Sequence, residues 1–248
     1  MSLPAWLQPL ADALPSVRGE DLTRFLPPPE GGRPSAVLVL FAEGPDGPDL
    51  LLIERAATLR SHAGQPAFPG GAQDPEDDGP VAAALREAQE EVGLDPATVE
   101  VIGTLPDLWL PPSGFVVTPV LALWRAPHPV RAVDTAEVAS VWRVPVAHLV
   151  DPARRWTVTH PSGWQGPAFQ VGSEVGDEDG GLLVWGFTAG VLDGVLRLGG
   201  WARPWDRARR RALDEGVVAL ARRGTTPVDL PGAEVSQVEP SQARPGAG

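Results

Sequence analysis

The sequence predicts an α/β sandwich, on three observations. Two runs rich in leucine and β-branched residues, Ser35–Phe41 and Asp49–Arg55, flank the segment Gly44-Pro45-Asp46-Gly47-Pro48, which reads as a hairpin with a wide loop. A helix pattern runs from Pro80 to Val92, with proline in the first turn, Asp78 or Gly79 at the cap and Gly93 just past the end. Its apolar positions Val81, Ala84, Leu85, Ala88 and Val92 form one stripe. Further strand-like runs occur at Val99–Thr104, Phe115–Trp124 and Val138–Val144, the last leading into a short helix over Val146–Val150. Strand pairs and helices mixed in this order fit neither a bundle nor a barrel.

The two ends read differently from the middle. Trp6, Leu7, Leu10 and Leu14 recur at helical spacing before the break at Pro27-Pro28-Pro29, so residues 1–33 are expected to be an appended segment with a short N-terminal helix. Leu182–Leu198 and Arg207–Arg222 are expected as late C-terminal helices, the first weakened by Gly190 and Gly194. These complete a domain spanning 34–223. From Thr225 onward proline, glycine, serine, glutamate and glutamine replace apolar residues, which predicts a disordered tail over 224–248.

Composition removes several function classes. Twenty arginines against 32 acidic residues give a net charge of −12, which argues against a nucleic-acid partner. The arginines show no basic stripe interleaved with aromatics, and Arg207, Arg209, Arg210 and Arg211 are expected on a solvated helix face. With no cysteine there is no disulfide, thiolate metal site or cysteine nucleophile, so any metal must take oxygen or imidazole ligands. No leader pattern and no apolar run of about 18 residues is present, so a cytoplasmic protein with no membrane partner is expected.

The chemistry concentrates in Arg86-Glu87-Ala88-Gln89-Glu90-Glu91-Val92-Gly93-Leu94. Glu87, Glu90 and Glu91 stand at i, i+3 and i+4 and share an arc of roughly 100° on the helix. Repulsion at these spacings costs only about 0.2–0.5 kcal/mol per pair, so a solvated acidic face is the competing reading. What precedes the helix favours a site: Phe68-Pro69-Gly70-Gly71 makes a tight glycine turn, and the acidic loop Asp74-Pro75-Glu76-Asp77-Asp78 follows it. Together they can fold over the helix start and line a pocket with oxygens. Such a pocket suits a hard cation, which commonly shares its positions with substrate phosphates and promotes attack of water on phosphorus.

This segment resembles the signature of the Nudix hydrolase family: Gly, five residues, Glu, seven residues, Arg-Glu, an aliphatic, any residue, Glu-Glu, any residue, Gly, an aliphatic. The second half is met by Arg86 to Leu94, with Ala88 small for its position. The first half departs, because Asp78 stands where the isolated glutamate belongs and Gly71 lies 15 residues before Arg86 rather than 14. The resemblance implies an α/β/α sandwich with a mixed central sheet, and Mg²⁺ or Mn²⁺ bound by Glu87, Glu90 and Glu91. It implies that Arg86 orients a glutamate, and leaves the loop carboxylate open among Glu76, Asp77 and Asp78. Glu91 and Glu137 are the candidates for the catalytic base.

A second motif, Leu51 to Gln65 continuing through Phe68 to Gly71, resembles the extra signature of the coenzyme A pyrophosphatase branch of that family. It implies a CoA-like nucleotide substrate. Arg55 and Arg60 would hold its phosphates through guanidinium forks, His62 and Gln65 would add hydrogen bonds, and Phe68, Gly70 and Gly71 would shape the turn beside the metal. The competing reading pairs both arginines with the acidic loop and makes His62 a turn cap. Leu110-Pro111-Pro112-Ser113-Gly114-Phe115 is expected as a rim loop bringing Ser113 to the substrate, and Thr159–Phe169 as either a lid over the ligand or ordinary packing. NADH, ADP-ribose or another nucleotide is the alternative substrate, and a non-catalytic ligand-binding sensor is the alternative class. The apolar helix over Leu182–Leu198 also suits a partner surface, including a homodimer.

Overall fold

The computed structural model describes residues 2–23, 25–111, 113–172 and 181–221. Pro112 of the expected rim loop, Arg222 and the expected tail at 224–248 lie outside the described residues. Two short helices, α1 (Gln8–Ala13) and α2 (Gly19–Leu22), open the chain. The predicted hairpin follows as β1 (Arg33–Gly44) and β2 (Gly47–Arg55), both longer than expected. The wide loop gives way to a tight turn: Gly44 pairs with Gly47, and only Pro45 and Asp46 separate them. Gly47 sits at φ +104°, a backbone conformation that side chains resist.

Beyond the hairpin come β3 (Pro66–Ala67), β4 (Gly70–Ala72), α3 (Gly79–Val92), β5 (Val99–Thr104), β6 (Leu108–Leu110), β7 (Phe115–Trp124), β8 (Val138–Pro145) and α4 (Val146–Leu149). The later elements are β9 (Arg155–Thr159), β10 (Gln165–Val171), β11 (Leu182–Val184), α5 (Gly186–Leu198), β12 (Arg210–Ala212) and α6 (Glu215–Ala221). Eight strands make a mixed sheet in which β1 runs antiparallel to β2 and β4 but parallel to β7. A second sheet has the order β11-β10-β9-β12.

β1 is buried on both faces, which is why it reads as a continuous apolar run rather than an alternation. On one face Ala36, Leu38 and Leu40 pack against Ala83, Ala84, Ala88 and Val92 of α3. The small alanines let that helix approach the sheet closely. It ends as predicted at Gly93, which takes a left-handed conformation at φ +72°. On the other face Val39 and Phe41 share a core with Leu7 and Leu10 of the N-terminal segment and Leu192 and Val195 of α5. Leu7 and Leu10 are fully buried, and each contributes about 2 kcal/mol toward holding the first helix on the domain. The result is an α/β sandwich with helices on both faces of a mixed sheet.

Both late helices need correction. Leu182–Val184 is a strand pairing with Phe169–Val171, and helix begins only after Trp185, where Gly186 at φ +66° breaks the extended run. The apolar residues of α5 that suit a partner surface in the sequence, Val191, Leu192, Val195 and Leu196, are buried in the chain's own core. Within the expected helix Arg207–Arg222, residues Arg210–Ala212 form a strand parallel to β9, and helix starts at Glu215. Of the arginines expected on a solvated helix face, Arg207 and Arg210 are exposed but not helical, while Arg209 lies 3.5 Å over the Trp156 ring and Arg211 reaches Gln170. No helix among the described residues is long and apolar enough to cross a membrane.

Candidate active site

α3 presents its carboxylates to the glycine turn of β4. Gly70 and Gly71 pair with Val37 and Ala36 at the start of β1, which sets the turn directly against the helix. The Gly70 N–H donates to Glu91 Oε2 at 2.9 Å, and the Gly71 backbone packs on the Glu87 carboxylate. A Cβ at Gly71 would stand 2.4 Å from Glu87 Oε1, so only glycine leaves that carboxylate in place. Gly71→Ala is therefore expected to lower turnover by about 10²-fold with little change in melting temperature, measured by steady-state kinetics beside thermal unfolding. Full activity in this variant would mean that the Glu87 position does not matter.

Arg86 lies behind this face and holds it. Its Nε and Nη2 donate to both oxygens of Asp77, each at 3.0 Å, while Nη1 reaches Glu87 at 3.1 Å and Glu90 at 3.2 Å. Of the three loop carboxylates left open by the sequence, Asp77 is thus the one tied to the helix, whereas Glu76 and Asp78 are exposed. The Arg86 hydrogen bonds, with one from the Asp74 N–H, hold the Asp77 carboxyl below its ordinary range.

Burial acts in the opposite direction on the helix. Glu91 is 2% exposed, and its carboxyl is pushed up to about 7 from an ordinary 4.5, chiefly by burial; the Gly70 hydrogen bond and Arg55 oppose the rise, and Glu87 and Glu137 add to it. Burial also raises the Glu87 carboxyl, with Glu90 and Glu137 adding repulsion and Arg86 opposing. In protein stripped of metal, folded Glu91 retains a proton that the unfolded chain releases between pH 4.5 and about 7. The stability contributed by that proton is complete below the lower value and is lost as pH rises through the upper one. Between pH 5 and 8 in EDTA, Tm should fall on the order of 5 °C more in the wild type than in Glu91→Gln. Parallel pH profiles of the two proteins would show that Glu91 titrates normally.

A cavity of about 1100 Å³ joins these groups to most of the other predicted residues. Glu87, Glu90, Glu91 and Glu137 line it, as do Arg55, His62, Gln65, Phe68, Gly70 and Gly71. Arg55 Nη1 stands 3.5 Å from Glu91 Oε1, and its Nε is buried without a hydrogen-bond partner. His62 takes a left-handed backbone at φ +56°, its Nδ1 lies 3.0 Å from Gln65 Oε1, and its Nε2 is likewise buried and unpartnered. Both residues line the cavity, although these two nitrogens are themselves covered by the protein. Arg60 is exposed and does not line the cavity. Nor does Ser113, whose hydroxyl and N–H both turn back to the Leu110 carbonyl.

Several lining residues lie outside the two signature motifs. Leu22 and Phe25 come from the N-terminal segment, Trp109 from β6, Trp185 and Phe187 from the start of α5, and Asp134 lies beside Glu137. In the segment read as lid or packing the two aromatics divide: Trp164 lines the cavity, while Phe169 is fully buried in the core.

The donor set suits a hard divalent cation. It consists of carboxylate oxygens, three from one helix face, and their mutual repulsion with Glu137 is the imbalance that a cation would relieve. As the side chains stand, no three acids or histidines among the described residues converge at ligand spacing, because Glu90, 60% exposed, is turned onto Arg86. A rotation of that exposed side chain would be needed to complete the set.

With fold and carboxylate helix in place, the comparison with known proteins is direct. The NUDIX domain family matches residues 32–162, more than half of the chain, and the protein belongs to the Nudix hydrolases, enzymes acting on nucleotide-derived small molecules and generally using divalent metal ions. It is 44% identical over 168 residues to a protein of Cronobacter sakazakii (strain ATCC BAA-894) named uncharacterized Nudix hydrolase NudL, a match covering 64% of this chain and 79% of the relative. The NudL protein of Escherichia coli (strain K12) is 41% identical over 162 residues, with the same two coverages. Among solved structures, a Nudix hydrolase from M. smegmatis, RenU, is 28% identical with a TM-score of 0.41, over 48% of this chain and 74% of that one.

Proposed function

We propose that this enzyme hydrolyses the pyrophosphate of coenzyme A or an acyl-CoA, giving 3′,5′-ADP and 4′-phosphopantetheine or its acyl form, with Mg²⁺ or Mn²⁺ bound by Glu87, Glu90 and Glu91. The observation that carries the reading is the single cavity in which the signature carboxylates meet Arg55, His62 and Gln65, the residues of the second motif. A bound divalent cation supplies charge neutralisation on the phosphoryl oxygens and acidity to the attacking water.

The chain's own residues do the rest. Arg86 fixes Glu87 through its Nη1 hydrogen bond, and its contact with Glu90 would open as Glu90 turns to the cation. Arg55, which lines the cavity with its Nη1 3.5 Å from Glu91, orients a pyrophosphate oxygen. Water attacks phosphorus, the P–O–P bond breaks, and the proton of the water passes to a carboxylate, Glu91 or Glu137. His62, which lines the cavity beside Gln65, shapes the ligand side of this turn.

Mass-resolved product analysis tests this with CoA, acetyl-CoA, NADH, ADP-ribose and dGTP offered in parallel, with Mg²⁺, with Mn²⁺ and with EDTA. Appearance of 3′,5′-ADP and phosphopantetheine with either metal, absent in EDTA and in Glu90→Gln, is the expected result. Cleavage of NADH or ADP-ribose with CoA left intact would transfer the site to another dinucleotide. No cleavage of any substrate would favour a ligand sensor.

A further inference from the structure

Part of the apolar lining of the cavity comes from segments outside the matched Nudix region at 32–162. Leu22 and Phe25 precede that region, and Trp185 and Phe187 follow it. The N-terminal strap is fixed in three ways. Arg197 Nη2 on α5 donates to the Asp21 carbonyl at 3.0 Å, and the Trp109 N–H donates to the Phe25 carbonyl at 3.3 Å. Leu22 sits over Gly194 so closely that a Cβ there would lie 2.5 Å from Leu22 Cδ2, so α5 carries a glycine where the strap crosses. Upstream, Leu7 and Leu10 are buried in the main core, so the strap is anchored on both sides of α2.

Charge is distributed unevenly along the cavity. Among the described residues its acids are Glu87, Glu90, Glu91, Asp134 and Glu137, and its one arginine is Arg55. None of these belongs to the strap, to β6 or to α5. The side chains of Leu22, Phe25, Trp109 and Phe187 are uncharged, and a thioester-linked hydrocarbon packed against them gains by leaving water.

Resting on the CoA reading, we propose that the strap, through Leu22 and Phe25 with Trp109 and Phe187, is the specificity-determining wall of this enzyme and seats the acyl chain of an acyl-CoA. The wall selects substrates by the length of their apolar end, while the carboxylate helix reads only the pyrophosphate.

The test uses the full chain with Mg²⁺ and follows 3′,5′-ADP release from CoA and octanoyl-CoA in the wild type, Phe25→Ala and Phe25→Trp, each checked for wild-type melting. The wild type should favour octanoyl-CoA over CoA by about tenfold in kcat/KM, and both variants should bring that ratio near one, Ala by opening the wall and Trp by filling it. CoA cleavage without an octanoyl preference overturns the proposal, as does a preference unchanged in a folded variant. Weaker product inhibition by 3′,5′-ADP in Phe25→Ala would give the wall to adenosine and overturn it too. If neither thioester nor CoA is cut while ADP-ribose is, the CoA reading itself has failed. Should Phe25→Ala not fold, Phe25→Trp carries the same ratio.

Discussion

Glu91→Gln is expected to lower kcat by about 10³-fold while leaving the protein folded and, in EDTA at pH 8, at least as heat-stable as the wild type. The two expectations have one cause. Glu91 is buried, and at alkaline pH its ionised form is held at a cost because little water reaches it. Glutamine has the same shape, keeps an oxygen to accept the Gly70 N–H and removes the buried charge. What it cannot do is bind a cation as a carboxylate or take a proton from water. An inactive variant with raised stability separates a functional carboxylate from a structural one; turnover within tenfold of wild type in the folded variant would remove Glu91 from the site. Glu87→Gln should follow the same pattern more weakly, because the Glu87 side chain is 16% exposed rather than 3%.

The carboxylate helix was legible because everything that defines it is local. Spacing places Glu87, Glu90 and Glu91 on one face, and Gly93 and Pro80 mark its ends. Their partner Asp77 was not separable from Glu76 and Asp78, since the conformation of the loop decides which of three adjacent acids turns toward Arg86. Arg60 shows the converse. It belongs to a motif, yet the turn that places His62 and Gln65 at the cavity leaves Arg60 exposed.

Long-range pairing hid the rest. Arg210–Ala212 has a helical neighbourhood in the sequence and becomes a strand only because β9 offers it an edge. Leu182–Val184 joins β10 for the same reason. The apolar wall was invisible because its parts are far apart in the chain: Phe25 meets Trp109 and Leu22 meets Gly194 only after the N-terminal segment packs across α5.

The same packing explains the largest expected effect on stability, at a residue with no part in the chemistry. Arg155 is 2% exposed, forms an ion pair with Asp193 of α5, and lies between the rings of Phe169 at 4.1 Å and Trp205 at 4.6 Å. It joins β9, β10, α5 and the chain beyond α5. Arg155→Ala removes the guanidinium, vacates the space between two aromatics and leaves the half-buried Asp193 with Arg197 at 3.5 Å as its remaining partner. The cost should be about 3 kcal/mol, seen as a lower urea midpoint at unchanged slope and a fall in Tm of roughly 10 °C. Arg155→Met, which keeps the packing, should lose less, and Arg155→Met combined with Asp193→Leu should recover part of that loss because no buried charge is left alone. A loss in Arg155→Ala below about 0.5 kcal/mol would show that the pair is incidental. Because α5 also carries Phe187 and the glycine that receives Leu22, loosening Arg155 should disturb the apolar side of the cavity before it reaches the carboxylate helix.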